Sequence, residues 1–385
     1  VMQLSQWNPY EQTVSSPVFD SLWMFGIEKF DSIIGNPPDG AKYPKEHKTY
    51  FLKHYESAKT TDINESGTVV GKSKGSLDTF SLFIEWAFRN VKKNGYVHFI
   101  VPMSVVSSDS MTALHKLLLA NCETIKVSSY NDRPTQIFLS SHMCTSIVEF
   151  AKTETACNHL LTTKQYRFWN RDELKNTLTC LQFTDSIRFC LRGRFPKISL
   201  PVEQTILKKL FAKRHTRIGK LLQEEGQAIY YRLAGGLYYK TVTNYPTGST
   251  QEKPLYFDKK IADVVGAVLS SSLFWWYQQI YADQLHLKSY EIESFPIPVE
   301  SLTPAVIRNI GNLYEKYLQD IERHVNVREP KTSKTYKVTT YKEYKIRYSK
   351  PLIDQIDDLI CPLYGLTDEE TEFIKNYEIE FRIDG

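Results

Sequence analysis

One short run, Phe30 to Gly40, reads FDSIIGNPPDG and could do chemistry. An apolar stretch stops at Asn36, two prolines follow, and then comes Asp39. Pro37 and Pro38 have a fixed φ and no N–H, and a residue that precedes proline is pushed into an extended conformation. Such a turn holds the Asn36 side chain and the neighbouring carbonyls in one orientation. Two acceptors, the Asn36 amide oxygen and the Pro37 carbonyl, can grip both hydrogens of an –NH2 group. In an aromatic amine the nitrogen lone pair is delocalised into the ring and is hardly nucleophilic. Two fixed acceptors draw the nitrogen toward tetrahedral geometry and free the pair to attack, which is preorganised electrostatic stabilisation of charge developing at nitrogen. No general base need act first, because the proton can leave after transfer.

The elements around this turn place it at the mouth of a sheet. FDSIIG reads as a strand, SLDTFSLFIEWAFRNVKKNG as a helix with basic residues in its last turn and Gly95 as its stop, and YVHFIVP as a strand. SSDSMTALHKLLLANC follows as a helix, and TIKVSSY and MCTSIVEFAK as strands. Strands separated by helices of that length predict a mostly parallel α/β sheet, and ligands bind such sheets beyond the carboxyl ends of the strands. From about residue 157 the pattern shifts to shorter segments with Pro and Gly turns, then to KIADVVGAVLSSSLFWWYQQIY, a helix expected to bury Phe274, Trp275 and Tyr281. Three regions are expected: a catalytic domain over 1–156, an α+β region over 157–301, and a helical region over 302–385.

Composition excludes little. Forty-eight basic residues against 44 acidic ones leave a net charge of +4, so global charge names no partner. Six cysteines without a CxxC pair read as reduced, structural thiols of a cytoplasmic protein. The most apolar window carries serines and glutamines, so a buried helix is expected there and no membrane span. GTVVGKS, residues 67–73, is one residue short of a phosphate loop between its glycines and reads as a substrate-facing loop. The scattered histidines imply no metal. The basic run at 328–350 reads chiefly as a solvated face, with phosphate contact as the sharper alternative.

FDSIIGNPPDG resembles the (F)D-x-x-[IVL]-G-N-P-P-[YFW] motif of the adenine-N6 DNA methyltransferases, in particular the TaqI-type and type IIG restriction–modification enzymes. WNPYEQTVSSPVFDSLWMFGIEKFD resembles the lead-in to that strand, KGSLDTFSLFIEWAFRNVKKNGYVHFIVP the helix and strand that follow, and TQIFLSSHMCTSIVEF a later segment. FDKKIADVVGAVLSSSLFWWYQQIYADQLHLKSYEIESFPIP is similar to the second half of a target recognition domain, and SKPLIDQIDDLICPLYGLTDEETEFIKNYEIEFR to a tail common in the type IIG group. The resemblance implies a partial Rossmann-like methyltransferase sheet, an α+β target recognition domain and a helical C-terminal region. It implies a bacterial, site-specific enzyme that moves a methyl group from S-adenosylmethionine to the N6 amine of an adenine flipped out of double-stranded DNA. Asn36, Pro37, Pro38 and Asp39 would then form the catalytic turn, with Phe138 packed edge-on against the base. Asp20 would bind the cofactor's adenine amine, with Ser21 beside it. Tyr231, Lys240 and Lys288 are candidates for DNA contact. A monomer is expected, with a restriction endonuclease activity in the same parent chain or a neighbouring gene.

Three departures from the family pattern matter. Asp39 stands where the family places an aromatic that stacks on the extruded adenine, and Ser21 stands where a relative can place a Phe. No Gly-rich cofactor loop precedes Asp20, so residues 1–385 are expected to be a fragment that binds S-adenosylmethionine poorly alone. A methyltransferase for protein glutamine or RNA, a cytosine-N4 enzyme and a DNA-binding module without catalysis stay open.

Overall fold

The structure is a computed structural model that describes residues 26–59, 61–63, 69–72, 75–139, 142–236, 238–284, 286–328 and 340–384. Asp20, Ser21, residues 67, 68 and 73 of the expected loop and residues 329–339 of the basic run lie outside the described residues. Within that expected loop Val69–Lys72 is instead a strand, paired in antiparallel fashion with Thr61–Ile63. The chain forms two compact units. The first comprises Val1–Val105, Asp109–Ser128 and Thr145–Leu161, and the second Val106–Ser108, Ser129–Cys144 and Thr162–Gly385.

In the first unit, β1 (Phe30–Gly35) pairs in parallel with β2 (Val91–Pro102), which pairs in antiparallel fashion with β4 (Thr145–Ala151). With β3 (Thr124–Tyr130), β5 (His159–Tyr166) and β6 (Thr184–Asp185), they form a six-stranded sheet in the order β1-β2-β4-β3-β5-β6. Strands β3 and β5 begin in the first unit and end in the second. Side chains alternate across a strand, so Val97, Phe99 and Val101 bury together with their cross-strand neighbours Val148 and Phe150. Helix α1 spans Lys45–His54, α2 Thr79–Asn90 and α3 Thr112–Asn121. Helix α2 packs on β2 through Ile84, Ala87 and Phe88, and the short turn Glu56–Ala58 lies against both α2 and α3. Buried Glu85 of α2 fixes that turn by accepting hydrogen bonds from the backbone N–H of Glu56 (2.9 Å) and Ser57 (2.7 Å), and it pairs with Arg89.

Helix α2 stops at Asn90, five residues before the glycine expected to end it. Gly95 lies inside β2 instead. A Cβ there would stand 2.8 Å from the Asp31 carbonyl oxygen and 2.7 Å from Val91 Cγ2. The glycine is thus required by the close approach of β1 to β2 rather than by a helix cap.

The second unit holds a three-stranded antiparallel sheet in the order β8-β7-β9, formed by β7 (Gln227–Arg232), β8 (Val242–Thr243) and β9 (Glu252–Phe257). Around it lie α4 (Pro201–Leu210), α5 (Ala262–Ser270), α6 (Ser272–Tyr281), α7 (Pro304–Arg323), α8 (Lys350–Ile360) and α9 (Asp368–Asn376). One hydrophobic core runs through both expected C-terminal regions, from Ile198 to Tyr377. Every residue of α6 is buried, Phe274, Trp275 and Tyr281 among them. Its first N–H groups are satisfied from afar: the Asp357 carboxylate of α8 accepts from Ser272 and Leu273 at 3.2 Å each. Burial raises the pKa of Asp357 to about 6.

Candidate functional site

The candidate turn begins where β1 ends. Gly35 is the last paired residue, opposite Phe99, and the chain leaves the sheet at Asn36. Pro37 is buried and anchors the turn, while Asn36, Pro38 and Asp39 are exposed. Among the described residues the Asn36 amide makes no hydrogen bond, so its oxygen is available to a ligand. Solvent access of this amide is the condition on which the amine-gripping chemistry depends. The Asp39 carboxylate also faces solvent and offers no flat surface to a base.

The loop beyond the turn is held by Tyr43. Its hydroxyl donates to Thr79 Oγ1 at 2.9 Å, and its ring meets Phe51 of α1 edge-on at 4.9 Å between centroids. That engagement commits the half-buried Tyr43 to packing. At the other end of β1, the Lys92 ammonium bonds Asp31 at 2.7 Å and holds its carboxyl below the usual carboxylate range. Among the described residues β1 has β2 as its one neighbour in the sheet, and Ile34 is 82% exposed.

Phe138 belongs to the second unit and is partly exposed. In its segment, Gln136 Nε2 donates to the Leu139 carbonyl at 2.7 Å and Thr135 Oγ1 to the Trp169 carbonyl at 2.9 Å. The buried Asp132 carboxylate accepts from the Cys144 thiol at 3.4 Å, and burial, reinforced by that neighbouring charge, pushes the thiol up to about 12. Cys144 is therefore an inert structural thiol.

Two of the three expected DNA contacts lie in the interior. Tyr231 is a core residue on the inner face of β7, where the alternation of the strand turns it away from solvent. Lys240 is buried, donates from Nζ to the Gln284 carbonyl at 3.1 Å, and is lowered to about 8 by that burial. Neither side chain presents a charge or ring to a bound duplex. Lys288 is partly exposed and pairs with Asp283 at 3.1 Å. Arg232, one residue beyond Tyr231, lies on the opposite face of the strand and is partly exposed.

Among the described residues no group of three or more His, Cys, Asp or Glu is placed to hold a metal ion, and no helix is long and apolar enough to cross a membrane. A sulfonium cofactor would need partners for its adenine and methionine ends. The two residues expected to serve the adenine, Asp20 and Ser21, fall outside the described residues; what the first unit contributes is the exposed Asn36 amide at the carboxyl end of a strand.

Residues 5–138 match the family described as Eco57I restriction-modification methylase. A longer and fainter likeness joins the chain to solved structures. The Type IIL restriction–modification enzyme MmeI in complex with DNA aligns with 92% of this chain and 57% of its own, at 8% identity and a TM-score of 0.45. A DrdV–DNA complex aligns over 53% of this chain and 22% of its own, at 15% identity and a TM-score of 0.35. The M protein of the Type I restriction enzyme EcoKI aligns over 37% of this chain and 26% of its own, at 17% identity and a TM-score of 0.24. The chain thus spans between about a quarter and somewhat over half of these proteins. At these scores the likenesses carry no weight on activity. No curated protein matches the sequence.

Proposed function

We propose that the chain is the catalytic and target-reading part of a DNA methyltransferase from a restriction–modification system, and that it methylates the N6 amine of an adenine flipped out of double-stranded DNA. The observation that carries this is the exposed Asn36 amide, set by a buried proline at the carboxyl end of β1; the family match over residues 5–138 supports it. S-adenosylmethionine would supply an electrophilic methyl group, held through Asp20 and Ser21. Asn36 and the Pro37 carbonyl accept the two amine hydrogens and localise the nitrogen lone pair toward that methyl. Pro38 keeps the turn from relaxing.

Incubation of the chain with S-adenosylmethionine carrying a labelled methyl group and mixed-sequence duplex DNA tests this. Label on adenine N6 supports the assignment. Label on cytosine, protein or RNA, or none with the cofactor in excess, overturns it. One observation favours a second assignment, a DNA-binding module without catalysis: the exposed Asp39 carboxylate occupies the place of the stacking aromatic. Duplex binding without transfer would support that module.

A further inference from the structure

In the second unit a cavity of about 580 Å³ opens beside the end of β7. Its charged lining is one-sided. Among the described residues Arg232, Arg328, Lys345, Arg347 and Arg382 face it, against one acid, Glu343, which Arg328 already pairs at 2.6 Å. Four tyrosines complete the walls, and the guanidinium groups lie over aromatic rings: Arg232 over Tyr341 at 5.5 Å and Arg382 over Tyr239 at 4.8 Å. Arg232 is fixed by donating to the Lys342 carbonyl and to Thr247 Oγ1. Its Nε is nonetheless buried with no hydrogen-bond partner, and the same is true of Arg382 Nε. Buried donors are rarely left without an acceptor. Opposite them the chain bends through Gly235 and Gly236, both at positive φ, and a Cβ at Gly235 would meet nothing within 4 Å.

A cleft whose charged lining is mostly guanidinium and ammonium calls for an anion with several acceptor oxygens. Tyrosine walls call for a flat, π-faced neighbour to that anion. An acidic peptide satisfies the first demand and leaves the second unmet; a nucleotide of a polynucleotide chain satisfies both. We propose that this cavity seats a DNA phosphodiester together with its adjoining base, making it a DNA contact site distinct from the Asn36 turn. The proposal rests on duplex DNA being the partner, as inferred above.

The test is the affinity of the full chain for a fluorescently labelled mixed-sequence duplex, read across a series of salt concentrations. Lys345 is exposed and Arg347 half-buried, so K345A/R347A probes the charge with little risk to folding. If the pair contacts phosphate, affinity falls about tenfold or more at moderate salt and the salt slope shrinks by roughly 1–2. Tyr341→Ala should lower affinity about tenfold while leaving that slope unchanged, and Tyr341→Phe should restore it. Wild-type affinity and slope in all these variants would overturn the proposal, as would displacement of the duplex by an acidic peptide at equal charge. Duplex binding that depends on the cavity, without methyl transfer, would uphold this site while striking the catalytic assignment alone; transfer and binding that ignore the variants would do the reverse.

Discussion

The Tyr43 hydroxyl donates to Thr79 Oγ1 at 2.9 Å, which ties the loop leaving the Asn36-Pro37-Pro38 turn to the first turn of α2. Thr79 is buried, so the bond fixes an exposed loop to the interior. Tyr43→Phe keeps the edge-on contact with Phe51 and removes the bond alone. It should cost about 1 kcal/mol locally. Amide hydrogen exchange over residues 40–55 should accelerate about fivefold, with little change elsewhere in the unit.

Asn36→Ala should leave folding unchanged, since the side chain is exposed and makes no hydrogen bond among the described residues. Methyl transfer should fall by roughly 100-fold or more, the usual effect of deleting one preorganised group at a centre of developing charge. Duplex affinity should stay within about twofold. A fall in affinity equal to the fall in rate would mean that the amide serves binding and not the chemical step.

Asp39→Tyr restores an aromatic at an exposed position of the turn. If the position faces an extruded base, affinity for a duplex with a mismatched target should rise about tenfold, the value of one stacked base. Fully paired duplex should gain less, because the flipping cost opposes the stacking. Equal affinities for wild type and variant would remove Asp39 from the base's surroundings.

Gly95→Ala and Gly311→Ala should have opposite signs. The first places a Cβ 2.8 Å from the Asp31 carbonyl and should destabilise the first unit by about 1–3 kcal/mol. The second sits within α7 with its nearest neighbour at 4.0 Å, and should stabilise the second unit by about 0.5–1 kcal/mol. Thermal melts of the two variants against wild type would check both.

Glu203 supplies a pH test. Its carboxylate accepts from the backbone N–H of Ser199 (2.8 Å) and Leu200 (3.0 Å), closing the start of α4, yet burial raises its pKa to about 7. A carboxyl whose folded pKa lies above its unfolded value of about 4.3 stabilises the fold fully below that lower value. Its contribution is lost as pH rises toward 7. Glu203→Gln keeps an acceptor and removes the titration. The stability of wild type minus variant should therefore decline with pH between about 4.5 and 7, by up to about 1.4 kcal/mol per unit, in denaturant titrations. A flat difference would show that the folded carboxyl is not shifted.

The elements around the turn were legible because their signals are local. FDSIIG is a short run cut off by the prolines that follow Asn36, and YVHFIVP and MCTSIVEFAK carry the apolar period of strands that bury one face. What escaped depended on distant partners. Gly95 looks like a helix stop until Asp31 is seen 2.8 Å from where its Cβ would be. A lysine is ordinarily a surface residue, so Lys240 read as a DNA contact; only the Gln284 carbonyl explains its burial. Tyr231 and Arg232 differ by one position, and nothing in a six-residue run mixing tyrosine, isoleucine and glutamine fixes which face turns inward. The helix α6 was legible as buried, but the carboxylate that caps it comes from Asp357, some eighty residues away.

The outer side of β1 has a consequence for anyone handling this polypeptide. Among the described residues the outer edge of β1 has no strand partner and carries the exposed Ile34, and an edge of that kind is a template on which an extended segment can zip. Self-association in concentrated solution should therefore start at this rim, and a lysine in place of Ile34 is the single change best suited to keep the material dispersed.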